Sequence, residues 1–454
     1  MENSVSEDPP IPTPEIIIVS GDIIQGTGKD AEKPDCVLRD QYDQAELFLG
    51  TLADRLLGGN RQRIIIVPGN HDINFPKMFS SLKEIDYAVI DEKKRCELAS
   101  LIWENQSKFR WSWEEFKLYE ITCDILYEER LAEFIAFYNR FYGGTRTYSI
   151  DPTQQFDIFD FPEWELAIIG FNSCFLNDPW NRQGTIHPRA FSHACDELRR
   201  RQFRGRLRLA VWHHSTKGVP RRDDYMDADF LQQLVNHGFS LGFHGHQHKP
   251  EMIDEKFAFG GDRKVHALSA GTLSGGERAL APGATRGYNR VILDTEEWKV
   301  ELHVRQMTNP DFLNPIWGKG FLSNQMSFQC FELQMPRSVD QSAIVSQDLP
   351  EAEQLLREKK NEAAAAILEP IAKYDDMAKR LLLQAFVGEN NNKGVIRCFS
   401  EPISPEEIIA VCNALWEEDQ HDALRAILGQ QIISEHQDPS VEHIRTKLLG
   451  RLGL

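Results

Sequence analysis

Five side chains of this sequence, Asp22, Asn70, His213, His246 and His248, offer carboxylate, amide-oxygen and imidazole donors. That is the donor set taken by hard and borderline divalent cations. They stand in four short motifs: Ser20-Gly21-Asp22, Gly69-Asn70-His71-Asp72, His213-His214 and Gly245-His246-Gln247-His248. Glycine before Asp22, Asn70 and His246 lets the backbone turn sharply ahead of the ligand. Two cations sharing a carboxylate can hold a bridging hydroxide and clamp a phosphoryl group for in-line displacement. In that chemistry His71 protonates the leaving oxygen, and Asp72 orients its imidazole. A single histidine at a strand end is ordinarily structural or solvated, and one Ser-Gly-Asp carries little. The four motifs in this order, spread between residues 20 and 248, are hard to produce by chance.

The elements that must position these residues are legible. Aliphatic runs fall at Ile16–Val19, Ile64–Val67, Leu166–Ile169, Leu209–Trp212, Leu241–Phe243, Val265–Leu268, Arg290–Leu293 and Val300–Val304. Short β-branched or aliphatic runs closed by Gly, Pro, Asn or Ser are buried strands of a layered α/β domain. Each motif sits at the end of such a run, where an open α/β sheet places its site. Between the first two runs, Leu38, Tyr42, Ala45, Leu49, Leu52 and Leu56 step by three and four, a helix that Gly58 stops. Residues 80–163 break this rhythm. Their aromatics, among them Trp103, Trp111, Trp113, Phe116, Tyr119, Phe134 and Phe137, read as a helical insert whose rings form its own core. A base-stacking surface is the sharper alternative.

Residues 1–307 thus form one domain. Residues 308–348, with Pro310, Pro315, Gly318 and Gly320, read as an extension and linker, and 349–454 as a smaller all-α domain rich in Ala, Leu, Glu and Lys. Ser404-Pro405-Glu406-Glu407 is a helix start. Asn361-Glu362-Ala363 with Ala366-Ile367-Leu368 is echoed by His421-Asp422-Ala423 with Ala426-Ile427-Leu428. Two helical-hairpin units would explain the echo, and so would chance similarity of two amphipathic helices. Protein interaction is the role expected of this domain.

Bulk numbers exclude some classes. A chain of 454 residues exceeds a single core. The formal net charge of −18 is unlike a free-standing nucleic-acid binder, so any phosphate ligand needs local cations. No apolar run reaches the roughly eighteen residues of a membrane span. The eight cysteines form no CxxC pair and read as reduced, mostly buried thiols of a cytoplasmic protein, which makes the Asn105-Gln106-Ser107 sequon a chance match.

The motif series resembles the calcineurin-like metallophosphoesterases, whose order is D-x-H, G-D, G-N-H-D, H, G-H-x-H. The resemblance covers roughly residues 15–305. Leu268-Ser269-Ala270-Gly271-Thr272, Gly287-Tyr288-Asn289 and Asn172-Ser173 also fit it. It implies a four-layer αββα sandwich and two divalent ions of the manganese, iron, zinc or nickel type. Carried over, Asp22 bridges both ions; Asn70, His213 and His246 complete one site; His248 serves the other; His71 is catalytic. His214 is the weaker ligand of its pair, and His244 reads as structural. The first motif, D-x-H, is not found ahead of the Ser20-Gly21-Asp22 strand, because residues 1–14 contain no histidine. One site therefore has all its protein ligands, the other keeps only Asp22 and His248, and a central sheet lacks a strand. An upstream piece carrying the motif is the favoured expectation; a one-metal or degenerate member is the other.

The implied activity is hydrolysis of a phosphate ester, most simply by a phosphodiesterase or nuclease acting on a nucleotide or nucleic acid. The alternative is a non-catalytic metal-binding scaffold whose C-terminal helices recruit a protein partner. Leu273-Ser274-Gly275-Gly276-Glu277 mimics an ATPase signature, but no phosphate loop accompanies it. Arg199, Arg200, Arg201, Arg204, Arg206 and Arg208 read as a solvated helix end, or else, with Arg221 and Arg222, as a surface that steers a polyanion.

Overall fold

The computed structural model describes residues 11–102, 107–200, 203, 206–218, 224–256, 264–276, 280, 284–322, 326–333, 349–372, 375–434, 436 and 438–453. Trp103, the Asn105 sequon position, Arg201, Arg204, Arg221, Arg222 and Glu277 lie outside them. The chain divides into two compact units, residues 1–257 with 262–336, and 337–454 with 258–261.

The first unit is built on fifteen strands among the described residues. β1 (Ile17–Val19) and β2 (Ile64–Ile66) pair in parallel. β3 (Leu82–Ile85), β4 (Phe109–Ser112) and β5 (Lys117–Ile121) form a small antiparallel sheet in the order β3-β5-β4. The main sheet comprises β6 (Phe156–Phe161), β7 (Leu166–Phe171), β8 (Leu207–Val211), β9 (Phe239–His244), β10 (Glu251–Lys256) and β11 (Lys264–Ser269), in the order β10-β11-β9-β8-β7-β6. β12 (Gly287–Asp294), β13 (Lys299–Met307), β14 (Trp317–Lys319) and β15 (Phe328–Glu332) form an antiparallel sheet centred on β13.

The main sheet is covered on both faces, which explains its nearly continuous apolar strands. Alternate residues Ile168, Leu209, Val211, Leu241 and Leu268 join one core with Ile64, Ile65, Ile66, Val67, Val300 and Leu302. The others, including Ala167, Ile169, Ala210 and Trp212, pack with Phe191, Phe230 and Leu234 from the helices Pro188–Leu198 and Ala228–Asn236. The helix Pro34–Leu56 buries Leu38, Tyr42, Leu49 and Ala53, and Tyr42 stacks on Phe137 of the helix Ala132–Phe141 at 4.9 Å between centroids. These layers are the αββα arrangement expected. Gly170 of β7 meets Val67, with only 2.9 Å between an added Cβ and that side chain, so the layers touch where glycine permits.

Three expectations are corrected. The segment 80–163 is not purely helical: β3, β4 and β5 lie in it, and β6 is an edge strand of the main sheet. Aromatic residues favour strands as much as helices, and Phe109-Arg110-Trp111-Ser112 alternates, burying Arg110 and Ser112. Residues 308–333 are not merely irregular, because β14 and β15 pair with β13. The cysteines are all free, as read, but three of the eight, Cys174, Cys195 and Cys412, are buried and three are exposed. Among the described residues β1 pairs with β2 alone, and the sheet of β12 to β15 is separate.

The second unit is a run of helical hairpins. Residues 349–357 are helical, followed by Asn361–Leu368, Asp376–Gly388, Asn392–Cys398, Pro405–Glu417, His421–Leu428 and Pro439–Arg451. One left-handed residue makes the tight turn in each of three hairpins: Lys359 (φ 58°), Asn390 (φ 54°) and Asp419 (φ 53°). The next N–H reaches back in the same way each time, Lys360 to Leu355 O, Asn391 to Phe386 O and Gln420 to Leu415 O, at 2.8–2.9 Å. This is a helix-capping turn repeated at a period of about thirty residues. Ala352, Ala364 and Leu368 of the first hairpin correspond to Leu383, Val395 and Phe399 of the second and to Cys412, Leu424 and Leu428 of the third, and all nine are buried. The echo in the sequence is therefore two periods long. Ser404 caps its helix as predicted, accepting from Glu407 N at 3.2 Å, while Glu407 Oε2 accepts from Ile403 N.

Candidate metal centre

Four strand ends converge. Asp22 follows β1, Asn70 and His71 follow β2, His213 follows β8 and His246 follows β9. Tight backbone approach makes this convergence possible. A Cβ on Gly21, whose φ is +90°, would stand 2.4 Å from His213 Nδ1, and one on Gly69 would stand 2.2 Å from Asp22 N. Asp22 (φ 51°), His246 (φ 72°) and His248 (φ 56°) are themselves left-handed. Such residues cost about 1–3 kcal/mol each and cluster at functional sites.

The donors around the centre cannot satisfy one another. His213 Nδ1 lies 2.7 Å from Ser20 O, a carbonyl that only accepts, so Nδ1 carries the ring proton. In the neutral ring Nε2 is then a lone pair. It faces Asn70 Oδ1 at 3.0 Å and Asp22 Oδ2 at 3.3 Å. His246 Nδ1 lies 3.0 Å from the same Asn70 oxygen and 3.2 Å from His213 Nε2. Ligand atoms of Asp22, His213 and His246 all lie within 4.8 Å of one another. Converging lone pairs of oxygen and nitrogen at these distances need a cation at their centre, so the residues present fit a divalent metal.

Electrostatics agree with this reading. Burial alone would raise the Asp22 carboxyl, yet His213 and then His71 hold it well below the usual carboxylate range. Burial alone would lower His213, and Asp22 more than reverses this. The pair thus favours a positive charge at the place a metal would take, so protons and metal compete there. Burial, then His213, pushes His246 down to about 3, which keeps its ring neutral and able to ligate.

The remaining candidates are placed differently from one another. His71 N donates to Asp22 Oδ1 at 2.9 Å, and its ring Nδ1 faces Gln25 O at 2.8 Å. Asp72 is buried, and its oxygens accept from Tyr42 Oη at 3.0 Å, Gly69 N at 2.8 Å and Ile23 N at 3.3 Å. Asp72 therefore clamps the loops of Asp22 and Asn70 together, and the carbonyl of Gln25 orients the His71 imidazole. His248 lies beyond His246 and is not in the three-residue cluster. His214 is buried beside Ser173 Oγ (2.9 Å) and Asn177 Nδ2 (3.2 Å), and Ser173 Oγ also accepts from His213 N and His214 N. His244 is buried against Trp212, at 5.5 Å between centroids.

Sequence reasoning missed Gln25 and Asp224, which lies 3.9 Å from His246 Nε2. Tyr42 read as helix core, and Ser20 and Ser173 stood in quoted motifs without a role. The described arginines of the basic run are engaged: Arg199 pairs with Asp196, Arg200 with Glu197 and Arg206 with Asp160, and Arg208 donates to His237 O and Leu198 O. Of these only Arg200 is a solvated helix-end cation; Arg206 and Arg208 lie at the start of β8, and none of the four is a free polyanion surface.

A family model of the calcineurin-like phosphoesterases matches residues 7–250, and the chain belongs to that family of metal-dependent hydrolases of phosphate esters. No curated protein matches the sequence. Among solved structures, a Staphylococcus aureus protein provisionally described as a 5′-nucleotidase, in complex with alpha-ketoglutarate, is similar at 12% identity and a TM-score of 0.18. The likeness covers 43% of this chain and 33% of that one, so the match spans about a third of the relative's length. No helix among the described residues is long and apolar enough to cross a membrane.

Proposed function

We propose that the first unit hydrolyses a phosphodiester of a nucleotide or nucleic acid, with Asp22, Asn70, His213 and His246 holding a divalent cation. Asp22 and His248 are the residues assigned to a second ion. The observation that carries the proposal is the convergence of unsatisfied donors on one point beside His71. When bound, the cation supplies a Lewis acid and a water of lowered pKa. The protein's own residues do the rest. Gln25 O accepts the His71 Nδ1–H and fixes the ring; in the doubly protonated imidazolium the Nε2–H is then the proton delivered to the leaving oxygen, and the neutral Nδ1–H tautomer is left behind. Asp72, held by Tyr42, keeps the Asp22 and Asn70 loops in register. Exposed Trp113 and Phe116 at the β4–β5 turn offer flat faces on which a base can stack.

The test is hydrolysis of bis-p-nitrophenyl phosphate and of a nucleotide panel with manganese, for wild type, His71→Ala and Asp22→Ala. His71→Ala should lose about 10²–10⁴-fold in rate while still binding metal. Asp22→Ala should lose both rate and metal. Equal rates in all three proteins would leave a non-catalytic scaffold. The hairpin run of the second unit is proposed as a protein-docking module, because stacked hairpins build extended binding surfaces.

A further inference from the structure

His246 presents opposite edges of its ring to two different surroundings. Nδ1 faces the donor cluster, 3.0 Å from Asn70 Oδ1 and 3.2 Å from His213 Nε2. Nε2 faces away, and Asp224 Oδ2 lies 3.9 Å from it. The other oxygen of that carboxylate, Oδ1, is buried with no hydrogen-bond partner among the described residues. A buried carboxylate oxygen without a donor costs about 1–3 kcal/mol or more and calls for an explanation.

The backbone that carries Asp224 is fixed to the site. Tyr225 bridges to Ser215, two residues past His213; Met226 N donates to Ser215 O at 2.7 Å; and Gly184 N donates to Tyr225 O at 3.1 Å. The neighbouring imidazole of His214, 4.9 Å from His246 between centroids, already meets Ser173 and Asn177 through its two nitrogens. Asp224 is thus the anion placed at the outer edge of His246.

We propose that Asp224 is a positioning residue for the metal centre: its carboxylate faces the Nε2 edge of His246 at 3.9 Å, beyond direct hydrogen-bond distance, and its charge favours the ring proton on Nε2 so that Nδ1 is the lone pair presented to the cation. Metal-binding histidines are commonly held in this way by a carboxylate on the far nitrogen, which fixes the tautomer and raises ligand basicity. The inference rests on the cation assignment above but not on the assigned reaction.

The experiment uses the full chain as wild type, Asp224→Ala and Asp224→Asn. Manganese affinity is measured by titration calorimetry, and hydrolysis of bis-p-nitrophenyl phosphate is followed against manganese concentration. Asp224→Ala should weaken manganese binding by about 10–100-fold and shift the activity curve to higher manganese, with kcat recovering at saturation. Asp224→Asn should recover part of the affinity, because its amide oxygen keeps a negative dipole end toward the same N–H although the full charge is gone. Melting in chelator should move little in either variant. Wild-type affinity in both variants overturns the proposal, as does an equal loss in both that follows a lowered melting temperature. A wild type that binds manganese without hydrolysing the ester would sink the assigned reaction and leave the affinity comparison intact. A wild type that binds no manganese would sink both.

Discussion

Tyr42 donates its phenolic hydrogen to Asp72 Oδ1 at 3.0 Å, joining the helix between the first two strands to the loop that carries Asn70 and His71. The phenol is buried, and its ring stacks on Phe137. Tyr42→Phe keeps the ring and removes the donor, leaving a buried carboxylate oxygen short of one partner. The expected cost is about 1–3 kcal/mol, read as a shift in urea midpoint at unchanged m-value. Manganese affinity should fall as well, because Asp72 also holds Gly69 N and Ile23 N.

Acid should destabilise the metal-free protein between about pH 6.5 and 4. Burial lowers His214 well below its ordinary value, His244 to about 4 and His246 to about 3. In that window the unfolded chain binds protons at these three rings and the folded chain does not, so stability falls as pH falls. Asp72, raised to about 7 by burial and then by Asp22, acts in the opposite sense with a single group. His244 stacks on Trp212 with both ring nitrogens buried and unpartnered among the described residues. His244→Phe should therefore flatten the slope by about one proton in chelator-treated protein, measured by urea melts across the window. An unchanged slope would remove His244 from the account.

Gly21→Ala places a methyl group 2.4 Å from His213 Nδ1 at a φ of +90°. The backbone conformation alone costs about 1–2 kcal/mol, and the imidazole must move from Ser20 O. Thermal melting should drop and manganese affinity should fall together, whereas Gly276→Ala, where an added Cβ meets nothing within 4 Å, should leave both in place.

Arg110 of β4 and Asp178 form a buried ion pair, Nε to Oδ2 at 2.6 Å, to which Tyr127 adds its hydroxyl at 2.9 Å. Burial works against the guanidinium, and Asp178 more than compensates. Asp178→Ala strands a buried cation and should cost about 3–5 kcal/mol by chemical denaturation. Lys108 and Asp124, an exposed pair nearby in sequence, should give less than about 1 kcal/mol on the same removal.

The site was legible where ligand type and glycine coincide. Asp22, Asn70, His213 and His246 stand behind or beside residues whose small size or strand-end position is itself a sequence signal. Ser20, Gln25 and Ser173 act through a backbone carbonyl or a lone hydroxyl, and any residue can supply the former, so no spacing rule finds them. Asp224 sits in a loop whose path only the folded chain reveals. The insert misled because ring-rich segments satisfy helix and strand equally, and only the alternation around Arg110 separates them. In the second unit the middle hairpin hides the period: Gly394 and Phe399 occupy places held by Ala363 and Leu368 in the first hairpin, so only the outer two look alike.

The thirty-residue period of the second unit bears on how such a segment can change over generations. Each hairpin turns on its own left-handed residue and buries the same three positions, and neighbouring helices supply most of what each one packs against. A duplication or deletion of one whole period would leave the next turn and the next buried triplet in phase. The length of this segment is therefore open to change by recombination, while an inserted or deleted residue within Ser20–Asp22 or Gly69–His71 would pull apart donors that meet within a few ångströms.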